Sequence, residues 1–157
     1  PMVSDLKSVP GAGANLPCGE VYCCPVETGA NGTLIIDACF GSYGNVKSPV
    51  TMTLEDGRVT TIEGDDQQAK EQITQHMDTD DGSRVIAELG IGLNSGARLS
   101  DRMLEAEKAL RTAHIAFGAN QGMPGGLNES QIHIDYLFKN PIMVVTQAGG
   151  QKKRVLI

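Results

Sequence analysis

The segment Ser130-Gln131-Ile132-His133-Ile134-Asp135-Tyr136-Leu137-Phe138 alternates with the period of two expected of a half-buried β-strand. On such a strand Ile132, Ile134, Tyr136 and Phe138 share one face, and Gln131, His133 and Asp135 share the other. An imidazole and a carboxylate two residues apart then point the same way, within reach of one ion. His114 lies in a second strand-like run, Ala113–Phe117. With His133 and Asp135 it makes a set of two nitrogens and one carboxylate, which suits zinc, cobalt, manganese or ferrous iron. A surface pair or a hydrogen-bonded imidazole is the plainer reading of the same residues.

Two glutamates sit where a bare charge is costly. Glu88 falls in Val85-Ile86-Ala87-Glu88-Leu89-Gly90-Ile91, and Glu20 in Leu16-Pro17-Cys18-Gly19-Glu20-Val21-Tyr22. A buried carboxylate must pair or bind a cation. Arg98 is the obvious pairing partner, and exposure at a sheet edge is the other bland account. Taken with His114, His133 and Asp135, the two glutamates are enough for two ions sharing a bridging carboxylate. Glu107 is a further candidate, on a helix leading to His114, although an i,i+4 pair with Arg111 would also explain it.

Strand-like runs at Glu20–Val26, Thr33–Phe40, Val85–Leu93 and Ala113–Phe117 must position these side chains. Val50–Glu55 and Arg58–Glu63 flank Asp56-Gly57, a strong hairpin signal. Asp65 is expected to cap a helix from about Asp66 to Met77, with Ile73 and Met77 as its apolar stripe. Ser100 is expected to cap a second, Asp101 to Arg111, with Met103, Leu104 and Leu110 apolar. Gly118–Asn128 reads as a Gly-rich loop, and Ile142–Thr146 with Arg154–Ile157 as a closing hairpin. The order predicts an α+β fold, a mixed, twisted, β-rich sheet, barrel-like in one version, with two main helices. Residues 1–14 are expected to be a linker or an added remnant (Pro1 stands ahead of Met2), and residues 15–157 a single metal-binding domain.

The composition agrees with a globular chain, 157 residues long with 40% hydrophobic and 20% charged residues. Nineteen glycines and 4% aromatics favour β structure with tight turns over a helix bundle. A net charge of −6, with no basic cluster beyond Lys152-Lys153-Arg154, argues against a nucleic-acid partner. No apolar run approaches a membrane span and no signal peptide opens the chain, so a cytoplasmic location is expected. Cys18, Cys23, Cys24 and Cys39 lack zinc-site spacing and read as small buried thiols.

Several motifs together carry a resemblance. They are Asn15-Leu16-Pro17-Cys18-Gly19-Glu20-Val21, Asn31-Gly32-Thr33 and Ala87-Glu88-Leu89-Gly90-Ile91-Gly92, then Gly96-Ala97-Arg98-Leu99, Glu107-Lys108-Ala109-Leu110 with His114-Ile115-Ala116, and Ile132-His133-Ile134-Asp135. Each alone is unspecific, but the ordered set, from about Asn15 to Val145, resembles the C-terminal metal-binding half of the aminopeptidase T/aminopeptidase S family (peptidase family M29). The resemblance implies a two-metal aminopeptidase using zinc, cobalt or manganese on peptide substrates, usually as a homodimer. By motif it assigns metal ligation to Glu20, Glu88, His114, His133 and Asp135, and to Glu107 through a spacing that differs from the family's. Arg98 is left to contact a ligand carboxylate or to neutralise Glu20 or Glu88, the structural role being preferred.

Two departures qualify the match. The family's tyrosine after the histidine equivalent to His114 is missing from Phe117-Gly118-Ala119-Asn120-Gln121, with Gln121 and Tyr136 as conceivable substitutes. The family's N-terminal half is also absent from this sequence. The same fold family includes an iron-dependent ring-cleaving dioxygenase acting on a dihydroxypyridine, for which two histidines and a carboxylate would hold one iron. A metal-binding fragment without catalysis is the third reading.

Overall fold

The computed structural model describes residues 2–4 and 15–156. Val50–Glu55 (β6) and Arg58–Gly64 (β7) pair antiparallel around Asp56-Gly57. Both turn residues have positive φ, 46° and 78°, which is the primed geometry a two-residue hairpin needs and which Asp-Gly tolerates. Gly32–Ile36 (β3) adds to β6, completing a three-stranded sheet.

The larger sheet has seven strands. They are Met2–Ser4 (β1), Glu20–Cys23 (β2), Cys39–Phe40 (β4), Gly44–Asn45 (β5), Ile86–Gly92 (β8), Thr112–Gly118 (β9) and His133–Lys139 (β10). Their spatial order is β1-β2-β8-β9-β10-β4-β5, an open twisted sheet and not the barrel that was one expectation. Met2–Ser4 pairs with β2, so these residues are strand where a linker was expected; residues 5–14 lie outside the described residues. Ile142–Thr146 (β11) and Lys152–Leu156 (β12) form the closing hairpin.

Between the two sheets runs Gln67–Met77 (α1), whose buried Ala69, Ile73 and Met77 pack with Met52, Leu54 and Val59 on one side. Ile86, Phe117 and Tyr136 from the large sheet complete this core. One face of the large sheet is therefore apolar, and the other is free to carry polar groups.

The cap of α1 is Asp66, one residue later than the spacing predicts. Its carboxylate accepts from the backbone N–H groups of Ala69 (3.2 Å) and Lys47 (2.7 Å) and from the Tyr43 hydroxyl (3.2 Å). The Lys47 backbone bond is the main reason the Asp66 carboxyl lies below its usual value, burial opposing it. Asp66→Ala should cost about 1–2 kcal/mol at neutral pH, as losing an N-cap does. A carboxyl whose folded pKa is depressed stabilises above its unfolded value of about 3.9, and that contribution is lost as pH falls through the folded value. Urea titrations from pH 7 to pH 3 should therefore show the gap between wild type and variant closing as acid is added.

The second helix is shorter than expected. Met103–Ala106 (α2) is helical, and the chain then turns through Glu107 to Arg111. The reason is Asn94, whose N–H donates to the Lys108 carbonyl and whose carbonyl accepts from Leu110. These bonds take the backbone groups that a continued helix would have used, and they swing Glu107 and Lys108 inward.

Candidate metal centre

Four adjacent strands each contribute to one face. Glu20 comes from β2, Glu88 from β8, His114 from β9, and His133 with Asp135 from β10. Together with Tyr22, Leu104, Glu107 and Met123 they line a cleft of about 240 Å3. The residues singled out for chemistry are thus brought together, apart from Arg98. That arginine is exposed and, among the described residues, makes no ion pair; only its backbone N–H is engaged, donating to Glu105 at 3.0 Å.

Strand alternation alone would put Ile86 and Glu88 on the same face. A bulge between them prevents this: Ile86 pairs with Phe117, on the core side, and Glu88 pairs with Ala116, on the cleft side. Asp135 also pairs with Ala116, so Asp135 and Glu88 flank a small residue that leaves room between their carboxylates.

The two oxygens of Glu88 face different imidazoles. Oε1 lies 3.2 Å from His114 Nε2, and Oε2 lies 3.3 Å from His133 Nε2. Asp135 Oδ1 is 3.7 Å from His133 Nε2 and 3.9 Å from His114 Nε2. Glu88, His133 and Asp135 each present a ligand atom within 4.8 Å of the others. His133 Nδ1–H donates to the Ala119 carbonyl at 2.6 Å, which leaves Nε2 turned into the cleft as metal-ligating histidines are held. His114 is buried, its Nδ1 has no partner among the described residues, and its ring lies against Gly90. Two imidazoles and two carboxylates in this arrangement suit a divalent ion of the zinc, cobalt or manganese kind.

Without an ion the charges of this cleft are tightly coupled. Burial pushes Glu88 up, but hydrogen bonds from His114 and His133 outweigh it and hold the carboxyl at about 2. Asp135 first and Glu88 second lift His133 to about 10. Burial alone would lower His114, and the bond to Glu88 and the charge of Asp135 reverse that. Protons on the imidazoles thus balance the carboxylates, so an arriving cation must displace them and binds better as pH rises.

Glu20 and Glu107 are held differently. Lys108, wholly buried, places Nζ 3.1 Å from Glu20 Oε1 and also donates to Glu107 Oε1. Lys108 therefore does the neutralising that the sequence suggests for Arg98. Glu107 pairs with it rather than with Arg111, whose φ of 69° marks the turn after the helix. The two suggested tyrosine substitutes lie elsewhere. Tyr136 is fully buried on the core face with its hydroxyl 3.2 Å from His76, and Gln121 is exposed and donates to Glu129. Tyr22 is the tyrosine that reaches the cleft; its place two residues after Glu20 on a strand was a usable signal.

Glu27 is another residue the sequence left unremarked. Its Oε1 accepts from Leu127 N–H (2.7 Å), Asn128 N–H (2.8 Å) and Asn120 Nδ2 (2.8 Å). It thereby pins the loop from which Ala119 orients His133. Glu27→Ala should cost about 1 kcal/mol for the hydrogen bonds lost, since Asn128 N–H keeps Asn120 Oδ1 as an acceptor and Leu127 is open to water. It should also weaken zinc binding by roughly 10–100-fold, as losing an orienting partner does. Calorimetric titration beside urea unfolding checks both; unchanged zinc affinity would sever the loop from the site.

Residues 8–157 match the thermophilic metalloprotease (M29) family. The chain belongs to that family. It is 28% identical over 141 residues to Aminopeptidase 2 of Geobacillus stearothermophilus, covering 79% of this chain and 34% of that protein. It is 24% identical over 160 residues to aminopeptidase AmpS of Bacillus subtilis (strain 168), covering 90% of this chain and 38% of the relative. The chain thus spans about a third of the length of the curated relatives it matches. In fold it is similar to wild-type AmpT from Thermus thermophilus, with a TM-score of 0.73 and 21% identity over 91% of this chain and 39% of that one. It is also similar to 2,5-dihydroxypyridine dioxygenase from Pseudomonas putida KT2440, with a TM-score of 0.63 and 21% identity over 74% of this chain and 37% of that one. Among the described residues no helix is long and apolar enough to cross a membrane.

Proposed function

We propose that this chain is the metal-binding part of an aminopeptidase-type hydrolase that removes N-terminal residues from peptides at a two-ion centre. The observation that carries this reading is Glu88, each of whose oxygens faces a different imidazole, the disposition of a bridging carboxylate. His133 and Asp135 would hold one ion, His114 and Glu20 the other, and Glu107 would stand beside them. Zinc, cobalt or manganese, when bound, would polarise the scissile carbonyl and acidify a water. The chain's own residues do the rest. The Ala119 carbonyl keeps the His133 ring oriented, and Ala116 keeps open the space between Glu88 and Asp135. Tyr22 and Met123 line the mouth against which a substrate side chain would rest. A homodimer in the cytoplasm is the assembly and setting that go with this reading.

The iron dioxygenase reading needs one ion and three ligands. It leaves Glu20 and Glu107 without a task, and the fold likeness to that enzyme is the weaker of the two. Metal content separates the readings: two zinc or cobalt ions per chain, one iron, or tight metal without turnover. Activity is tested with Leu-, Phe- and Arg-linked chromogenic substrates under added Zn²⁺ and Co²⁺. The chain alone should turn over at well below about 1 s⁻¹, because the loop after His114 carries no tyrosine and the chain spans only part of its relatives. A missing transition-state donor costs roughly 10²–10³ in rate. No metal uptake at all would end the proposal.

Metal should also stabilise the fold, since it binds the native arrangement and not the unfolded chain. Chelation of a zinc-loaded sample should lower Tm by roughly 2–12 °C, the shift that about 1–3 kcal/mol produces at this size. A melting curve indifferent to chelator would show the cleft to be energetically separate from the sheet.

A further inference from the structure

The cleft has two unlike halves. Glu88, His114, His133 and Asp135 face one another, and among the described residues no lysine or arginine pairs with them. Glu20 and Glu107 converge instead on the Lys108 ammonium, which is wholly buried and does not itself line the cleft. An ammonium has no lone pair to offer a metal, so it cannot become a ligand. It is also confined, because none of its side chain reaches solvent. Lys108 holds Oε1 of both Glu20 and Glu107, so a second divalent ion must share these carboxylates with the ammonium through their other oxygens or displace it, and either way it lies close to a like charge that stays where it is. No fixed ammonium stands beside the first ion, which has only the imidazole protons to displace.

We propose that Lys108 is a built-in competitor for the second ion, which makes loading sequential. The half formed by Glu88, His133 and Asp135 fills first and tightly, and the Glu20 half fills second and more weakly, against the charge of the ammonium its carboxylate already holds. This rests on the two-ion reading above and adds the order and inequality of the two steps. The cleft consequently has a defined one-ion state, in which Lys108 supplies the positive charge of the absent second ion.

The test is a Zn²⁺ titration of chelator-stripped protein by calorimetry, with bound zinc counted by mass spectrometry after dialysis at graded free zinc. Wild type should bind one equivalent and then a second at least about tenfold more weakly. Lys108→Met should strengthen the second step by about tenfold or more and leave the first nearly unchanged. Lys108→Arg, which keeps the charge, should preserve the wild-type inequality. Should Lys108→Met fail to fold, Glu20→Gln decides: it should delete the second equivalent and retain the first. Equal wild-type affinities, a second step indifferent to Lys108→Met, or loss of both equivalents in Glu20→Gln would overturn this inference alone. No zinc uptake by wild type would overturn the two-ion reading and this inference with it.

Discussion

Glu88→Gln should abolish tight divalent-metal binding while leaving the sheet intact. The change preserves volume, so the strand and its bulge have no steric reason to move. A carboxamide, however, offers one oxygen where two are used, and it turns an N–H₂ toward an imidazole that now faces Oε1 at 3.2 Å or Oε2 at 3.3 Å. Loss of zinc affinity should exceed the roughly 10–100-fold typical of removing an orienting partner, because Glu88 sits between both histidines. Any peptidase turnover should disappear with it. An independent sign comes from His133, which Asp135 and Glu88 raise to about 10 without metal. In the variant it should titrate lower, readable as a shift of its ring proton resonances. Retained zinc affinity would show that the ion is held elsewhere.

Gly90→Ala is the second large effect, and its sign runs against ordinary expectation. Glycine in a strand usually weakens it, and alanine usually helps. Here an added Cβ would fall 2.0 Å from His114 Cε1 and 2.1 Å from Nε2, far inside van der Waals contact. His114 is buried and hemmed by Glu88 and Asp135, so the ring must leave its position or the strands must part. Overpacking of this kind costs about 1–3 kcal/mol, and a displaced His114 should take tight metal binding with it. Gly122→Ala is the control, since nothing lies within 4 Å of its added carbon. A Gly90→Ala protein as stable and as metal-avid as wild type would mean that the histidine is not held there.

How much of this was legible in the sequence depends on how local the controlling physics is. His133 and Asp135 were readable because uninterrupted alternation fixes their shared face, and Tyr136 does point into the core opposite them. The β6–β7 hairpin was readable because Asp56-Gly57 suits its turn whatever surrounds it. Glu88 was conspicuous as a carboxylate among apolar residues, but the bulge that turns it away from Ile86 comes from pairing with β9, a partner remote in sequence. Lys108 was illegible for a related reason. In a continued helix it would read as an ordinary solvated lysine, and it is buried because Asn94 ends that helix early. Glu27 was equally hidden, since its acceptors' donors lie across the fold in the loop before β10. Composition and spacing report a residue's neighbours along the chain, and these assignments depend on neighbours across it.

The pairing of Glu20–Cys23 with Leu89–Gly92 has a kinetic consequence. Those strands meet only after the intervening β6–β7 hairpin and α1 have been brought round, and such non-local pairing is the slow part of assembling a sheet. Glu20 joins the side chains of β8, β9 and β10 only on that closure, so the Glu20 half of the cleft offers an ion nothing to grip in the earlier, partly ordered chain. An ion that needs Glu20 would then not act as a template that hastens folding. It would act as a latch, leaving the refolding rate nearly constant and lengthening the lifetime of the folded chain by slowing its escape.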